Sequence, residues 1–455
     1  MEKINKKLGV SYFYKYIELI LILYWGFALL FVAEACANII TISDEETELY
    51  LADIIRPIFE VAEIPFNRDK IFIVEDNSLN AFVSDGNNLF INTEVILQAQ
   101  NSDEIRGVIA HEAGHVLGGH IIRYKLKQQE LQTLSLASMV IAGALGAVSG
   151  RGDVAAAIAI GSQNSLLTKS LSYRIEEERN ADEAAVMLLK KAGYSPIGLL
   201  NFMKKIQRHN MLQGISENKY FSTHPQNDER IAFLKQAVKN SKQTFSKQND
   251  DTLNRIKAKI YAFVKSPQQT HKKYTKTNKS INARYAQAIA AYKGIEFQKA
   301  IKLINELINE EPSNPHFREL KGQILLEQGK IKEAEKEFKI SSKLLPSSML
   351  FKINVAQCLL ENNPSKQDVQ KTIIQLQKVL IKKQTLYAWL LLSRAYEMNG
   401  DKADAMYAAA EYSIRIGNVT LAKKQAEKAK AISKSPTLNL KIDDLLQHIN
   451  NQRKK

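Results

Sequence analysis

Residues 108–120 read VIAHEAGHVLGGH, and His111 and His115 within that run are four apart. On an α-helix this spacing leaves the two side chains about 40° apart on one face, one above the other. Two neutral imidazoles so placed can share one divalent ion, and zinc is the ion that favours such nitrogen donors. Glu112 points to the neighbouring side of the helix, where it is badly placed to ligate the same ion. It can instead take the proton of a water that the ion has acidified toward a pKa of about 7. The pattern is HExxH, and its chemistry is metal-assisted hydrolysis. Chance can produce the same spacing on a solvated helix. Here it lies in an apolar one, IRGVIAHEAGHVLGGHII. Burying two histidines and a glutamate there without a partner is costly, and a metal ion offsets that cost.

A catalytic zinc site takes a third protein ligand and keeps a fourth position open. His120 is nine residues beyond His111, about 180° round a continuous helix, so it should face away and not ligate. The acidic run EEERNADEAA (176–185) supplies carboxylates, with Glu178 the better candidate. Spacing alone does not choose it over Glu176, Glu177 or Glu183, which read as a solvated face. Asp182, one helical turn beyond Glu178, can accept a hydrogen bond from a ligating imidazole and fix its tautomer.

The elements that must position these groups are partly legible. Residues 45–63 read as an amphipathic helix through Leu51, Ile54, Ile55, Ile58 and Phe59, with Pro57 a point of strain. Ile71–Val74 and Leu89–Asn92 read as strands flanking the turn-prone SDGNN. Asp103 is the expected N-cap of the HExxH helix, and Ala113 and Gly114 are small enough for a second helix to pack close. The helix of the acidic run should end near Gly193. Residues 134–160 are rich in Ala, Val, Ile and Gly. They read as a buried or groove-covering helical hairpin, with a membrane-touching lid as the rival.

The amino terminus looks exported. Lys3, Lys6, Lys7 and Lys15 precede the apolar run Leu19–Ala33, and Ala35-Cys36-Ala37 fits a small-x-small cleavage site. Fifteen helical residues reach about 22 Å, short of the roughly 30 Å of a bilayer core. A signal peptide over 1–37 is therefore expected, with an uncleaved anchor as the alternative. Cleavage leaves Cys358 as the only cysteine, in the leucine-rich AQCLLENN, where it reads as core. The net charge of +15 favours acidic partners or anionic lipid surfaces. No zinc knuckle or aromatic-basic strand motif accompanies it, so nucleic acid is not an expected partner.

A peptidase domain is expected over 42–240, a linker over 241–280 with a short amphipathic insert near Ile256–Val264, and helical repeats over 281–450. Ala300 and Ala334 are 34 apart, as are Pro312 and Pro346. GKIKEA (329–334), GDKADA (400–405) and GNVTLA (417–422) each place a glycine five residues before an alanine. A 34-residue period with glycine turns and small packing alanines resembles the tetratricopeptide repeat, a solenoid of helix pairs.

HExxH, then Glu178-x-x-Ala181-Asp182, then STHPQNDER (222–230), with NAF at 80–82 ahead of them, resembles the HtpX/CaaX-prenyl-protease-like family of zinc metallopeptidases. The signal and the repeats narrow the likeness to its periplasmic, repeat-bearing members; an integral-membrane member would need several long apolar spans. The resemblance runs from about Asn80 to Arg230, and the repeats extend it almost to the end. It implies a mainly α chain: a zincin-like α+β domain with a small sheet, then an α-helical solenoid. It also implies one Zn2+ per chain held by His111, His115 and Glu178, with Glu112 as base and Asp182 behind the ligands. His224 should overhang the ion, where it could gate or stabilise the site, and Arg230 could steady a developing oxyanion. Two features depart from the family pattern: Tyr173-Arg174 is shifted by one from the usual Ser-Arg, and the turn after NAF holds only Gly86.

The expected reaction is peptide hydrolysis in the cell envelope, on unfolded or misassembled, including outer-membrane, proteins. An extended substrate segment is expected to pair with an exposed strand near Leu89–Asn92. The repeats would reach client proteins or the outer-membrane assembly machinery, with peripheral membrane contact. The alternative is a repeat-based periplasmic chaperone or scaffold with a latent zinc site.

Overall fold

The computed structural model describes residues 40–84, 86–149, 173–213, 224, 228–241 and 250–452. The signal expected over 1–37 and the part of the 134–160 segment beyond Ser149 lie outside them.

The first half alternates strands and helices: β1 (Thr41–Ile42), α1 (Glu45–Val61), β2 (Ile71–Val74), β3 (Ala81–Ser84), β4 (Asn88–Asn92), α2 (Thr93–Gln98), α3 (Ser102–Leu117) and α4 (His120–Ser149). A helix over 173–191, α5, follows. Then come α6 (Ile197–Gln213), α7 (Asp228–Lys239), α8 (Asp251–Val264) and α9 (Pro267–Lys273). α1 starts where the Asp44 carboxylate accepts from the Thr47 N–H at 2.8 Å, with Glu45, Glu46 and Glu48 favoured at its positive end. It runs on through Pro57 and buries Leu51, Ile54, Ile55 and Ile58. α3 is capped by Asn101, whose side chain accepts from the Glu104 N–H, and not by Asp103. Asp103 pairs with Arg106 instead, at 2.5 Å.

The sheet has the order β1–β2–β4–β3. β2 pairs parallel with β4, Ile73 facing Ile91, and β3 pairs antiparallel with β4, Val83 facing Leu89. One face buries Ile71, Ile73, Ala81, Leu89 and Ile91 in the same core as α1 and α3. On the other, Phe72, Phe90 and Phe82 stack across the three strands at centroid distances of 4.9 and 4.8 Å, which fixes the register. The expected free strand near Leu89–Asn92 is thus interior. The edge beside β4 is β3, a four-residue run whose alanine and serine give a weak strand signal on their own.

α4 is a single 30-residue helix and is not buried as expected. Leu134, Leu136, Met139, Val140 and Ile141 are exposed. No helix among the described residues is long and apolar enough to cross a membrane.

The 241–280 segment, expected as a linker, holds α8 and α9. One face of α8 places Leu253, Ile256 and Ile260 in the core shared by the sheet, α1 and α3. Another places Ala258 and Ala262 in the core of the repeats. Its basic residues meet the acidic start of α1: Arg255 pairs with Glu46, and Lys259 with Asp44 and Glu46. The segment's polar composition is the exposed side of a helix wedged between two cores.

Ten helices follow among the described residues: α10 (Ile281–Lys293), α11 (Phe297–Glu310), α12 (Pro315–Glu327), α13 (Ile331–Leu344), α14 (Met349–Glu361), α15 (Lys366–Lys382), α16 (Leu386–Asn399), α17 (Lys402–Arg415), α18 (Val419–Ile432) and α19 (Pro436–Gln452). Ala300 and Ala334, the 34-spaced pair, are fully buried on α11 and α13. Gly329, Gly400 and Gly417 end α12, α16 and α17 at φ of 73°, 89° and 80°, the left-handed turn the repeat demands. Cys358 is buried and unbridged.

Candidate metal centre

α3 brings His111 and Glu112 to full burial and His115 to the rim of the same pocket. α5 crosses it at Gly114. A Cβ built there would lie 2.6 Å from the Ala181 carbonyl oxygen, so only glycine lets the helices touch. That contact sets Glu178 and Asp182, on either side of Ala181, against the histidine pair. His224, ahead of α7, closes the group from above, and α7 inserts Arg230 from the side.

One donor atom from each of His111, His115, Glu178 and His224 lies within 4.8 Å of the others. His115 Nε2 is 3.1 Å from His111 Nε2, and His111 Nε2 is 3.5 Å from His224 Nδ1. Glu178 Oε2 stands 3.3 Å from His111 Nε2, and its Oε1 stands 3.2 Å from His115 Nε2. Ligands held about 2.1 Å from a tetrahedral ion are about 3.4 Å apart. The spacings fit a small cation with N and O donors.

The surrounding charges suit the same occupant. Burial favours the neutral Glu178 carboxyl, yet His224, His111 and His115 hold it well below its ordinary range. Asp182 is likewise held low against burial, by His111 and Arg230. Burial pushes His111 down, but Asp182 and Glu178 outweigh it and raise the imidazole to about 10. Burial takes His115 down to about 3. The centre therefore holds two ionised carboxylates, and without an ion their compensating positive charge is shared between the buried Arg230 guanidinium and a protonated His111. A divalent cation can take that place.

Behind the donors, Asp182 Oδ1 is 2.9 Å from His111 Nδ1. The Arg230 guanidinium forks onto Asp182 at 2.6 and 3.0 Å and reaches Glu178 Oε2 at 2.8 Å. Arg230 is thus buried behind the carboxylates, and these contacts lock Glu178 and Asp182 in place.

Glu112 stands beside the group. Its carboxyl is raised chiefly by burial, opposed by His224 and His111, and a hydrogen bond from the Val83 backbone of β3 favours its ionised form. Its Oε1 is buried with no hydrogen-bond partner among the described residues, 3.7 Å from His224 Nε2.

His120 is not on the far face. α3 stops at Leu117, Gly119 turns the chain at φ 63°, and the imidazole folds back over Gly118. Its Nδ1 is 2.8 Å from His115 Nδ1. The continuous-helix reading missed this; the paired Gly118-Gly119 was the signal for a break. Sequence reasoning also missed the Val83 backbone contact, which has no side-chain signature.

Residues 45–238 match peptidase family M48, and residues 285–348 match the tetratricopeptide repeat. The chain is 24% identical over 281 residues to the "Beta-barrel assembly-enhancing protease" of Yersinia pestis, covering 57% of this chain and 54% of that protein. It is 22% identical over 304 residues to the Escherichia coli (strain K12) protein of the same name, covering 64% and 60%. A "Protease HtpX homolog" of Dictyoglomus turgidum is 28% identical over 227 residues, covering 41% and 68%. The chain thus spans under two thirds of the length of the first two relatives. Residues 45–238 form a peptidase family M48 domain, and tetratricopeptide repeats follow it in the same chain.

Proposed function

We propose that this chain is a zinc-dependent endopeptidase of the cell envelope, exported by its amino-terminal signal to the periplasm, that hydrolyses peptide bonds in misfolded or misassembled outer-membrane proteins. What carries the reading is the fourfold donor group with an unpartnered, buried Glu112 oxygen at its side. The names of the relatives from Yersinia pestis and Escherichia coli support the choice of client.

His111, His115 and Glu178 would hold the ion. Bound there, zinc supplies Lewis acidity, lowering the pKa of water and polarising a carbonyl. Glu112 takes the proton of the attacking water at its free Oε1 and returns it to the leaving amine; burial raises its carboxyl above the ordinary range, which favours accepting that proton. Asp182 holds His111 in one tautomer, and Arg230 keeps Asp182 and Glu178 from turning away. His224 stands where a catalytic site keeps a position open, so it gates the centre and must move aside for substrate. An extended client strand adds to the β3 edge, beside the Val83 backbone that touches Glu112, and needs little sequence demand because the pairing is by backbone. The repeats recruit clients or the outer-membrane assembly machinery, and the exposed apolar side of α4 touches the membrane surface.

The test is Glu112→Gln in the mature chain. Metal content should stay at one ion per chain, while cleavage of an unfolded outer-membrane protein falls by about 100-fold or more. Undiminished cleavage refutes the role. A variant that still rescues a deletion strain favours the chaperone reading.

A further inference from the structure

Away from the metal centre, α13 and α15 stand apart and leave a groove of about 730 Å³ floored by α14. Its rim is basic: Lys339 and Lys343 from α13, Lys352 from α14, and Lys371, Lys378 and Lys382 from α15. Among the described residues only Lys339 of these six has an acidic partner in an ion pair, Glu335 at 2.5 Å. One further acid bears on the rim: Asp368, whose carboxyl is held low by the Ser365 hydroxyl and then by Lys371 and Lys339. The floor is apolar, made by Met349, Val355 and Val379. Two isoleucines on α15 stand in the groove without cover, Ile374 at 52% and Ile381 at 84% exposure.

The arrangement has a period. Ile374 and Ile381 are seven residues apart, and so are Lys371 and Lys378. Seven helical residues span about 10 Å, two turns, so α15 presents an apolar stripe beside a basic one. A solitary exposed isoleucine needs no explanation, but two in register beside six lysines form a surface with a defined complement. That complement repeats apolar anchors every two turns and carries carboxylates along the flank. A flat lipid surface would meet the rim and miss the floor.

We propose that this groove docks an acidic amphipathic helix of a partner protein, its apolar face seated on Ile374, Ile381 and the floor, and its carboxylates on the lysine rim. The assignment is independent of the metal and of hydrolysis.

The test uses the full mature chain and a fluorescein-labelled helical peptide with leucines at i, i+3 and i+7 and glutamates on both flanks. Its anisotropy should report binding that weakens about tenfold between about 0.05 M and 0.3 M salt. Lys352→Glu with Lys378→Glu should weaken it by about tenfold or more. Ile374→Ser with Ile381→Ser should do the same without changing the charge. All four positions are at the groove surface, and an unchanged melting temperature confirms folding. The same peptide with lysine for glutamate should not bind. Equal binding of both peptides, or binding indifferent to both pairs of substitutions, overturns the proposal. So does binding of phosphatidylglycerol vesicles that the substitutions abolish while the peptide is ignored.

Discussion

Gly114 and Ala181 meet backbone to backbone, with 2.6 Å between the place of a Gly114 Cβ and the Ala181 carbonyl oxygen. The middle of HExxH thus decides how near the glutamate of the second helix can come to the two histidines. Overpacking such a contact costs about 1–3 kcal/mol. Gly114→Ala should therefore lower the melting temperature and also weaken metal retention, because Glu178 must back away with its helix. Thermal denaturation and metal analysis after dialysis check both; full retention would show that Glu178 is placed by something else.

Arg230 and Asp182 form a buried forked pair at 2.6 and 3.0 Å. Removing one partner of such a pair leaves a buried charge, at about 3–5 kcal/mol. Arg230→Met should destabilise by that order in a denaturant titration. Asp182→Asn is milder for the fold but disturbs the His111 tautomer, so metal affinity should fall by about 10–100-fold in competition with a chelator.

His120 holds His115 through a ring-to-ring hydrogen bond of 2.8 Å. His120→Ala should lower metal affinity about tenfold by the same logic. Gly118→Ala should give a similar loss with every imidazole still present, since a methyl group there collides with the His120 ring. If the glycine variant binds metal normally, the folded-back ring has no part in ordering His115.

Glu319 on α12 is buried, and burial pushes its carboxyl up from about 4.5 to about 7, against the pull of Lys259. Unfolded, it titrates near its ordinary value, so the fold binds the extra proton between about 4.5 and 7. Stability from this group therefore falls as pH rises through that window and stays low above it. The span corresponds to a cost of up to about 3 kcal/mol at pH 8. Glu319→Gln should raise stability at pH 8, with little effect at pH 5, in urea titrations at the two values.

The histidine pair was legible because HExxH and its helical face are local facts about a few consecutive residues. The repeat period was legible for a similar reason: Ala300, Ala334 and the turn glycines recur in sequence. What resisted reading was long-range or depended on a break. Glu178 among its neighbours is selected only by the Gly114–Ala181 crossing, 67 positions apart. His120 was misplaced because a helix was assumed to continue through Gly118-Gly119. β3 was missed because four residues with an alanine and a serine carry little strand signal until β4 pairs with them. The 241–280 segment looked like tether because its lysines and glutamines mask the leucine and isoleucines of α8.

α8 contributes to two hydrophobic interiors at once, Leu253, Ile256 and Ile260 to one and Ala258 and Ala262 to the other. Neither half can melt without stripping a wall from its neighbour, so calorimetry should record a single endotherm. Severing the chain at either end of α8 would leave one fragment with a missing buttress and the other with a greasy ledge. α8 is thereby a keystone shared by both halves, and the solenoid is not an appendage.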